Sequence, residues 1–207
     1  MSESSARVLL VRHAQHKTSV GESGLTVLGE RQAKALAAAI QRGPTDALVS
    51  SPMKRAMATA AAFGMNFDVV EGLQEFDFGP EAPDAATMVA ERTDLTIWRA
   101  DHGFAGGETL SEFQARISTT VEALVSGYPG GTIVAVTHAG VIDAALRWAY
   151  ALAPDAAWVT EAVLPNASVT EVEHWPSGRR SGGAPRFTLV HRVGDASHLE
   201  PELVTEI

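Results

Sequence analysis

VLLVRHA, from Val8 to Ala14, is the stretch of this sequence that decides the fold. Its apolar residues end abruptly at Arg12 and His13, and small or polar residues follow. A short apolar run bounded by polar residues predicts a buried β-strand, here over residues 7–12. The same pattern returns as IVAVTHAG at residues 133–140, where His138 follows the apolar run. The sequence thus predicts two buried strands that each end at a histidine.

A third segment, SSPMKRA at residues 50–56, follows another short apolar run. Ser51 and Pro52 predict the start of a helix, because a hydroxyl group caps the first turn and proline fits its first position. Arg55 then lies in the first turn of that helix. The carboxyl ends of parallel strands in open α/β sheets converge on one crevice. The three segments therefore predict one cationic pocket that suits a phosphoryl group.

Strands and helices are predicted to alternate along most of the chain, which is typical of a largely parallel sheet covered by helices. The predicted fold class is α/β, a three-layer sandwich with a mostly parallel central sheet and helices on both faces, in one domain over residues 1–207. Helices are predicted over 26–42, 51–63, 110–126 and 141–152, with mixed helical character over 84–103. Strands are predicted over 7–12, 47–50, 68–71, 132–137, 166–175 and 187–193, the last two as a hairpin with a long tip at 176–185. Thr109 and Glu112 match a capping box at the start of the third of these helices.

Composition narrows the class of protein. The 207 residues are 45% hydrophobic and 20% charged, which is the profile of a globular domain. The formal net charge of -9 argues against nucleic-acid binding, which depends on Lys and Arg against phosphates. The sequence has no cysteine, which excludes disulfides, thiolate catalysis and cysteine-ligated zinc. No apolar run approaches the roughly 20 residues that span a membrane, and the first residues lack a signal-peptide pattern, so we expect a cytoplasmic protein.

His13 is the candidate nucleophile, because an imidazole can attack phosphorus and divide the transfer into two easier steps. Arg12 offers a planar fork of donors to phosphate oxygens, and Arg55 lies at a helix N-terminus, where an anion is favoured. Each residue alone has a plainer interpretation: Arg12 and His13 as an exposed pair, Arg55 as a helix-surface residue, His138 as a core histidine. Their shared position at strand ends favours the functional interpretation.

The order of these motifs resembles that of the histidine phosphatase superfamily, which includes cofactor-dependent phosphoglycerate mutases and small broad-specificity phosphatases. The resemblance extends from about Val8 to Leu199. It is carried by RHA at 12–14, GLTVLGERQA at 24–33, SSPMKRAMATA at 50–60, LQEFDFG at 73–79, GGETL at 106–110, VTHAG at 136–140, NASVT at 166–170 and DASHL at 195–199. It implies a phosphoglycerate mutase-like fold.

The resemblance also implies roles for individual residues. His13 would become the phosphohistidine, and Glu75 would protonate the leaving oxygen and then activate water. The implied catalytic residues are His13, Glu75 and His138. The implied phosphate-binding groups are Arg12, Arg55, His138 and the N–H of Ala139. Neither a metal ion nor a cofactor is implied.

The surroundings of the pocket leave more than one interpretation open. Asp77 and Glu81 lie close to Glu75 in sequence and are rival acids. The chain has Ala14 and Gln15 where Gly and Glu are usual in the family, and PEAP at 80–83 where many phosphatases have an aromatic-Glu-Gly run. Substrate contacts are predicted for Gln15, Thr18 and Glu108. Five further residues are candidates for the lining of the outer pocket, with the core or the surface as equal alternatives: Phe76, Phe78, Trp98, Arg99 and His102.

The predicted activity is hydrolysis of a small phosphate monoester through phosphohistidine. The partner is then a small phosphorylated substrate, with no role for nucleic acid or membrane. A phosphoglycerate mutase-type phosphotransfer is the first alternative, although mutases usually carry longer chains with inserts that close the pocket. A catalytically silent protein that binds a phosphorylated ligand is the second, and loss of Arg12, His13, Arg55 or His138 would have favoured it.

Overall fold

The computed structural model of this chain describes residues 4–17, 24–82, 103–158, 161–176 and 186–205. Its strands are β1 (Ala6–Arg12), β2 (Ala47–Ser50), β3 (Asp68–Val69), β4 (Thr132–Thr137), β5 (Val169–Trp175) and β6 (Phe187–Asp195). Its helices are α1 (Val27–Ile40), α2 (Lys54–Ala61), α3 (Leu110–Gly127) and α4 (Ala139–Ala149), with short 3-10 turns at Glu71–Leu73 and Pro201–Leu203. Most of the predicted helical segment 84–103 and of the predicted loop 176–185 lies outside the described residues.

The strands form one sheet in the order β3-β2-β4-β1-β5-β6. Parallel pairs join β3 to β2, β2 to β4 and β4 to β1. β5 runs antiparallel to β1, and β6 returns antiparallel to β5. The α/β fold with a mostly parallel sheet is thus confirmed, and so is the antiparallel pairing of the last two strands.

The sheet has a hydrophobic core on each face, because successive side chains of a strand point to opposite sides. Val8 and Leu10 of β1 pack into the cluster that holds the buried faces of α3 and α4. Leu9 and Val11 pack into the other cluster, with the buried faces of α1 and α2. Burial of each such side chain contributes about 1.5–3 kcal/mol to folding. The result is the predicted three-layer arrangement, helices on both sides of the sheet.

Helix ends match the sequence where a cap acts locally. Thr26 accepts a hydrogen bond from the N–H of Gly29 and caps α1, and Thr109 and Glu112 form the predicted capping box of α3. The predicted cap of α2 is wrong. That helix begins at Lys54 after Met53, which makes no side-chain cap. The Ser51 hydroxyl accepts the N–H of Met53 at 3.3 Å, ahead of the first helical residue, and is also hydrogen-bonded to Nε2 of His138. In the described part of the chain, every helix falls short of the length and apolar character that a membrane span needs.

Other element boundaries shift by a few residues. β3 is shorter than the predicted strand 68–71, because the chain turns into a 3-10 helix at Glu71. The helix predicted from residue 141 begins at Ala139, directly after β4. The strand predicted from residue 166 begins at Val169. The turn before it instead contacts the end of β1.

Strand register sets the position of the histidines. In the parallel β1–β4 pair, Arg12 lies beside Thr137. His13 directly follows β1 and His138 directly follows β4. The N–H of His13 donates to the carbonyl of Thr137 at 2.8 Å. Both imidazoles therefore leave the sheet at its carboxyl edge, side by side.

Candidate active site

His13 has one tautomer that satisfies both of its ring contacts. Its Nε2 lies 3.0 Å from Nε of Arg55, and its Nδ1 lies 2.9 Å from the carbonyl oxygen of Ala14. A guanidinium N–H only donates, so Nε2 must accept, and the ring proton resides on Nδ1 and is donated to Ala14. The ring is buried, with 5% of its residue surface exposed. The fold thus presents Nε2 of His13 with an unprotonated lone pair.

The surroundings of His13 keep it neutral. Burial lowers the pKa of His13 well below its usual value, and the charges of Arg55 and Arg12 lower it further. The bond to Ala14 acts the other way, but burial outweighs it. His16 lies alongside, its ring centroid 5.1 Å from that of His13, and burial followed by Arg55 and Arg12 lowers its pKa as well. A neutral imidazole among cations is the state that a nitrogen nucleophile needs.

His138 is the second imidazole of the pocket, with its ring centroid 5.1 Å from that of His13. Its Nε2 is hydrogen-bonded to the Ser51 hydroxyl at 2.8 Å. Ser51 follows β2, and its N–H donates to the carbonyl of Val136 at 2.9 Å, which ties this strand end to β4. Burial lowers the pKa of His138 well below its usual value, and the nearby His13 lowers it further. Among the residues that the structure describes, the buried Nδ1 of His138 has no hydrogen-bond partner.

Arg12 and the backbone of His13 are held by the segment that leads into β5. The Arg12 guanidinium donates from Nη1 to the carbonyl of Leu164. Asn166 donates from Nδ2 to the carbonyl of His13 at 3.2 Å. Ala167, at a φ of 58° in the left-handed region, turns its N–H to the carbonyl of Arg12 at 3.1 Å. The end of β1 is therefore fixed by the segment that precedes β5.

Glu75 reaches the pocket from the loop after β3 and contacts the N-terminus of α4. Its Oε2 accepts from the N–H of Gly140 at 3.2 Å, and its Oε1 accepts from the N–H of Phe76 at 3.0 Å. A Cβ atom on Gly140 would lie 2.5 Å from Oε1, so this approach requires glycine. Burial raises the pKa of Glu75, against the backbone hydrogen bonds and the charges of Arg55 and Arg12. A raised pKa favours the protonated carboxyl group, which is the form that donates a proton.

The rival acids lie in different surroundings. Asp77 is exposed, and its Oδ1 accepts from the N–H of Gly79 at 2.9 Å in a local turn. Glu81 is exposed as well. Glu75, by contrast, accepts the N–H of Gly140 at the start of α4, directly after His138. The geometry therefore favours Glu75 as the acid of the site.

Two of the predicted substrate contacts are tied into the scaffold. Gln15 accepts the Thr26 hydroxyl at its Oε1, 2.8 Å away, beside the start of α1. Glu108 forms a bidentate ion pair with Arg116, with distances of 2.7 and 2.6 Å. Contact of either side chain with substrate stays a prediction. Thr18 lies outside the described residues.

The structure also places Ala139 and part of the proposed outer pocket. Ala139 is the first residue of α4, where backbone N–H groups have no partner within the helix and suit an anion. Phe76 is buried in the core, edge-on to Phe113 at 5.3 Å, and Phe78 packs against it at 4.9 Å. The described residues assemble no group of three or more side chains suited to a metal ion. Three further residues named for the outer pocket lie outside the described part of the chain: Trp98, Arg99 and His102.

Sequence reasoning did not assign a site role to His16, Ser51 or Arg116. His16 is a titratable residue three positions after the candidate nucleophile, and this spacing is a usable signal. The contact of Ser51 with His138 joins residues 87 positions apart, which no local pattern indicates. The contacts of Arg116 with the loop of Glu75 are equally remote in sequence.

Comparison with known proteins agrees with this geometry. The family model described as histidine phosphatase superfamily, branch 1, matches residues 8–182. That span contains both imidazoles, both arginines and the carboxylate of the pocket. The chain belongs to the histidine phosphatase superfamily.

Curated relatives of this chain include mycobacterial proteins. Bifunctional protein Rv2228c of Mycobacterium tuberculosis is 31% identical over 91% of this chain, and the chain spans only 54% of that relative. Glucosyl-3-phosphoglycerate phosphatase of Mycobacterium tuberculosis is 32% identical, covering 83% of this chain and 87% of its own length. The solved structure of mycobacterial hydrolase 2 shares the fold, with a TM-score of 0.78 at 24% identity, and covers 97% of this chain and 95% of its own.

Proposed function

We propose that this chain hydrolyses a small phosphate monoester through a phosphohistidine formed on Nε2 of His13. The observation that carries the proposal is the tautomer of His13, whose buried, unprotonated Nε2 points at Arg55. The proposal includes one domain over residues 1–207. It also includes a cytoplasmic location, since a chain without cysteine fits a reducing compartment.

In the first step, the lone pair on Nε2 of His13 forms a bond to phosphorus, and the bond from phosphorus to the ester oxygen breaks. Glu75 gives its proton to that oxygen, so the leaving group departs as an alcohol. The raised pKa of Glu75 keeps part of the carboxyl group protonated at a pH where an ordinary glutamate is ionised. A positioned acid of this kind contributes roughly 100- to 10,000-fold to such a step.

Substrate must displace Arg55 from His13, because the Nε2 lone pair that attacks phosphorus accepts the N–H of Arg55 in this structure. When a phosphoryl group enters, Arg55 turns its planar fork to the phosphoryl oxygens and releases Nε2. Arg12 and the N–H of Ala139 bind the same negatively charged phosphoryl oxygens. The Nδ1 of His138 gains a phosphoryl oxygen as its hydrogen-bond partner, which removes the cost of a buried unpaired polar atom. Placed donors lower the barrier by stabilising charge spread over the equatorial oxygens.

In the second step, water attacks the phosphorus of the phosphohistidine. Glu75, now a carboxylate, takes a proton from that water as the new P–O bond forms. The P–N bond breaks, inorganic phosphate leaves, and His13 regains its lone pair. Together the two steps return Glu75 and His13 to their starting states, so only the phosphate ester and one water are consumed.

Phosphate release from purified protein tests the proposal. The panel contains a nitrophenyl phosphate, simple alkyl phosphates and glucosyl-3-phosphoglycerate, the substrate named for one relative. We expect release by the wild type and a loss of at least about a thousandfold in His13→Ala. His191→Ala is the matched control, because His191 lies on β6 and pairs with Glu173.

Other outcomes would overturn the proposal. Isomerisation of phosphoglycerate without phosphate release would indicate a mutase. Binding of phosphate esters without turnover would indicate a silent ligand-binding protein. Full activity in His13→Ala would remove His13 from the reaction.

A further inference from the structure

The loop that carries Glu75 is tied to α3 by one arginine. We call residues 72–77 the acid loop. Arg116 donates from Nη1 to the carbonyl oxygens of Gly72 and Gln74, each at 2.9 Å. Its Nη2 donates to the carbonyl of Glu75 itself at 3.5 Å. A single guanidinium therefore holds the backbone of the acid loop up to the acid.

Glu108 completes this attachment at the far end of the acid loop. Its carboxylate accepts from Nε and Nη2 of Arg116 at 2.7 and 2.6 Å. The same carboxylate accepts from the N–H of Asp77 at 3.1 Å, and the Glu108 N–H donates to the Asp77 carbonyl at 2.8 Å. The guanidinium also lies over the ring of Phe113, 5.1 Å from its centroid. The pair thus fixes the loop on both sides of Glu75.

We propose that Arg116, oriented by Glu108, is a positioning residue for the general acid Glu75, and this inference rests on the proposed function. Arg116 acts through the backbone of Glu75, whereas the phosphate cradle is built from Arg12, Arg55 and His138. Proton transfer requires the carboxyl group within hydrogen-bond reach of the leaving oxygen, and a displacement of about 1 Å can cost about a hundredfold in rate. Loss of Arg116 therefore impairs protonation of the leaving group more than attack by His13.

Lysine cannot replace arginine in this place. The planar fork of Arg116 serves a carboxylate and several carbonyl oxygens at fixed angles, whereas an ammonium is a compact point charge. The Arg116 and Glu108 side chains are 26% and 20% exposed, so water replaces their contacts poorly. We expect Arg116→Lys to keep the charge but to hold the acid loop less firmly.

The test compares leaving groups in single-turnover formation of the phosphohistidine. A nitrophenolate departs without a proton, whereas an alkoxide requires one. In Arg116→Met we expect the rate with an alkyl phosphate to fall at least about tenfold more than the rate with a nitrophenyl phosphate. Arg116→Lys should lie between this variant and the wild type. In a Glu75→Gln background, Arg116→Met should change the alkyl rate by less than about twofold, because no acid is left to misplace.

Arg186→Met is the matched control, because Arg186 makes the same kinds of contact away from the acid loop. It pairs with Glu122 at 3.3 Å, donates to the carbonyl of Trp148 at 2.6 Å and lies over the Trp148 ring at 4.9 Å. We expect this variant to treat both substrates alike.

Equal slowing of both substrates in folded Arg116→Met would overturn the inference. If that variant does not fold, Arg116→Lys and Glu108→Gln carry the same comparison, and equal slowing there overturns it as well. A wild type that forms no phosphohistidine overturns the proposed function and this inference with it. A wild type that forms it, beside variants without leaving-group selectivity, overturns this inference alone.

Discussion

Single residues around His13 separate the effect of charge from that of geometry. The pKa of His13 is lowered first by burial and then by Arg55 and Arg12. The neutral ring attacks, so the rate of phosphohistidine formation falls as the pH drops through this lowered pKa. Arg55→Gln removes one cation and raises the pKa of His13, so the fall should begin at higher pH. Arg55→Lys keeps the charge, so the fall should stay in place while kcat drops about tenfold or more for want of the planar fork.

Single-turnover rates against pH check this prediction, with the exposed Arg31→Gln as control. Ionisation of the substrate phosphate also enters the pH profile, but it does so equally for every variant. A pH profile of Arg55→Gln identical to that of the wild type would show that Arg55 does not act on His13. Wild-type turnover in Arg55→Lys would show that the planar fork of Arg55 is not needed for the reaction and that this residue has a structural role.

The raised pKa of Glu75 is the property of this single residue that suits it to act as the acid. Its protonated form is present below that pKa and is lost as the pH rises through it. Glu75→Gln should slow an alkyl phosphate about a hundredfold or more and a nitrophenyl phosphate far less, provided that phosphohistidine formation limits both rates. Burst kinetics establish that condition, and Asp77→Asn and Glu81→Gln are the controls. Equal slowing of both substrates would make Glu75 a binding or structural residue, and Asp77 and Glu81 would be tested as the acid next.

At the scale of elements, the start of α4 holds the acid in place. Gly140 leaves no room for a side chain, since a Cβ would lie 2.5 Å from Oε1 of Glu75. Gly140→Ala should therefore displace Glu75 and slow an alkyl phosphate at least about tenfold more than a nitrophenyl phosphate. Alanine favours helix by about 1 kcal/mol over glycine, so a weaker helix would not explain the loss.

Gly127→Ala is the control for this prediction, because it lies at the end of α3 and has no atom within 4 Å of a built Cβ. The measurement is the ratio of the two single-turnover rates in each variant. A Gly140→Ala variant with the wild-type ratio would show that Glu75 does not depend on the start of α4.

Elements that follow from local pattern were predicted from the sequence, and those that depend on remote contacts were not. The strands 47–50 and 132–137 and the capping box of Thr109 were correct, because apolar runs and cap spacing act within a few residues. The predicted start of α2 was wrong, because Ser51 lies before the first helical turn, where its hydroxyl bonds the N–H of Met53 and Nε2 of His138. The tautomer of His13 and the attachment of the acid loop by Arg116 depend on side chains far apart in sequence. No pattern in one chain reveals them.

At the scale of the whole molecule, one buried carboxyl group links stability to pH. Asp143 on α4 is 7% exposed, and its Oδ1 accepts from the N–H of Ala162 at 3.0 Å. Burial raises the pKa of Asp143 from 3.8 to about 7. The folded state therefore binds a proton that the unfolded state releases between these values, and this group costs stability as the pH rises through that window.

Asp143→Asn should remove this cost and keep the acceptor for Ala162. We expect a Tm gain over the wild type that grows between about pH 4, near the lower end of this window, and about pH 8, where Asp143 is ionised in both states. Thermal unfolding at both pH values measures it, with the exposed Asp68→Asn as control. A constant Tm difference, or a gain that shrinks as the pH rises, would contradict the linkage.

The central claim for the molecule is that Nε2 of His13 is the nucleophile, and trapping the phosphorylated enzyme tests it most directly. Rapid quench with a labelled nitrophenyl phosphate, followed by peptide mapping and NMR assignment of the phosphorylated ring nitrogen, locates the adduct. The account predicts an acid-labile, base-stable adduct on Nε2 of His13 that is absent in His13→Ala and present in His16→Ala. An equally strong adduct in His13→Ala, or phosphorylation of Nδ1, would contradict it.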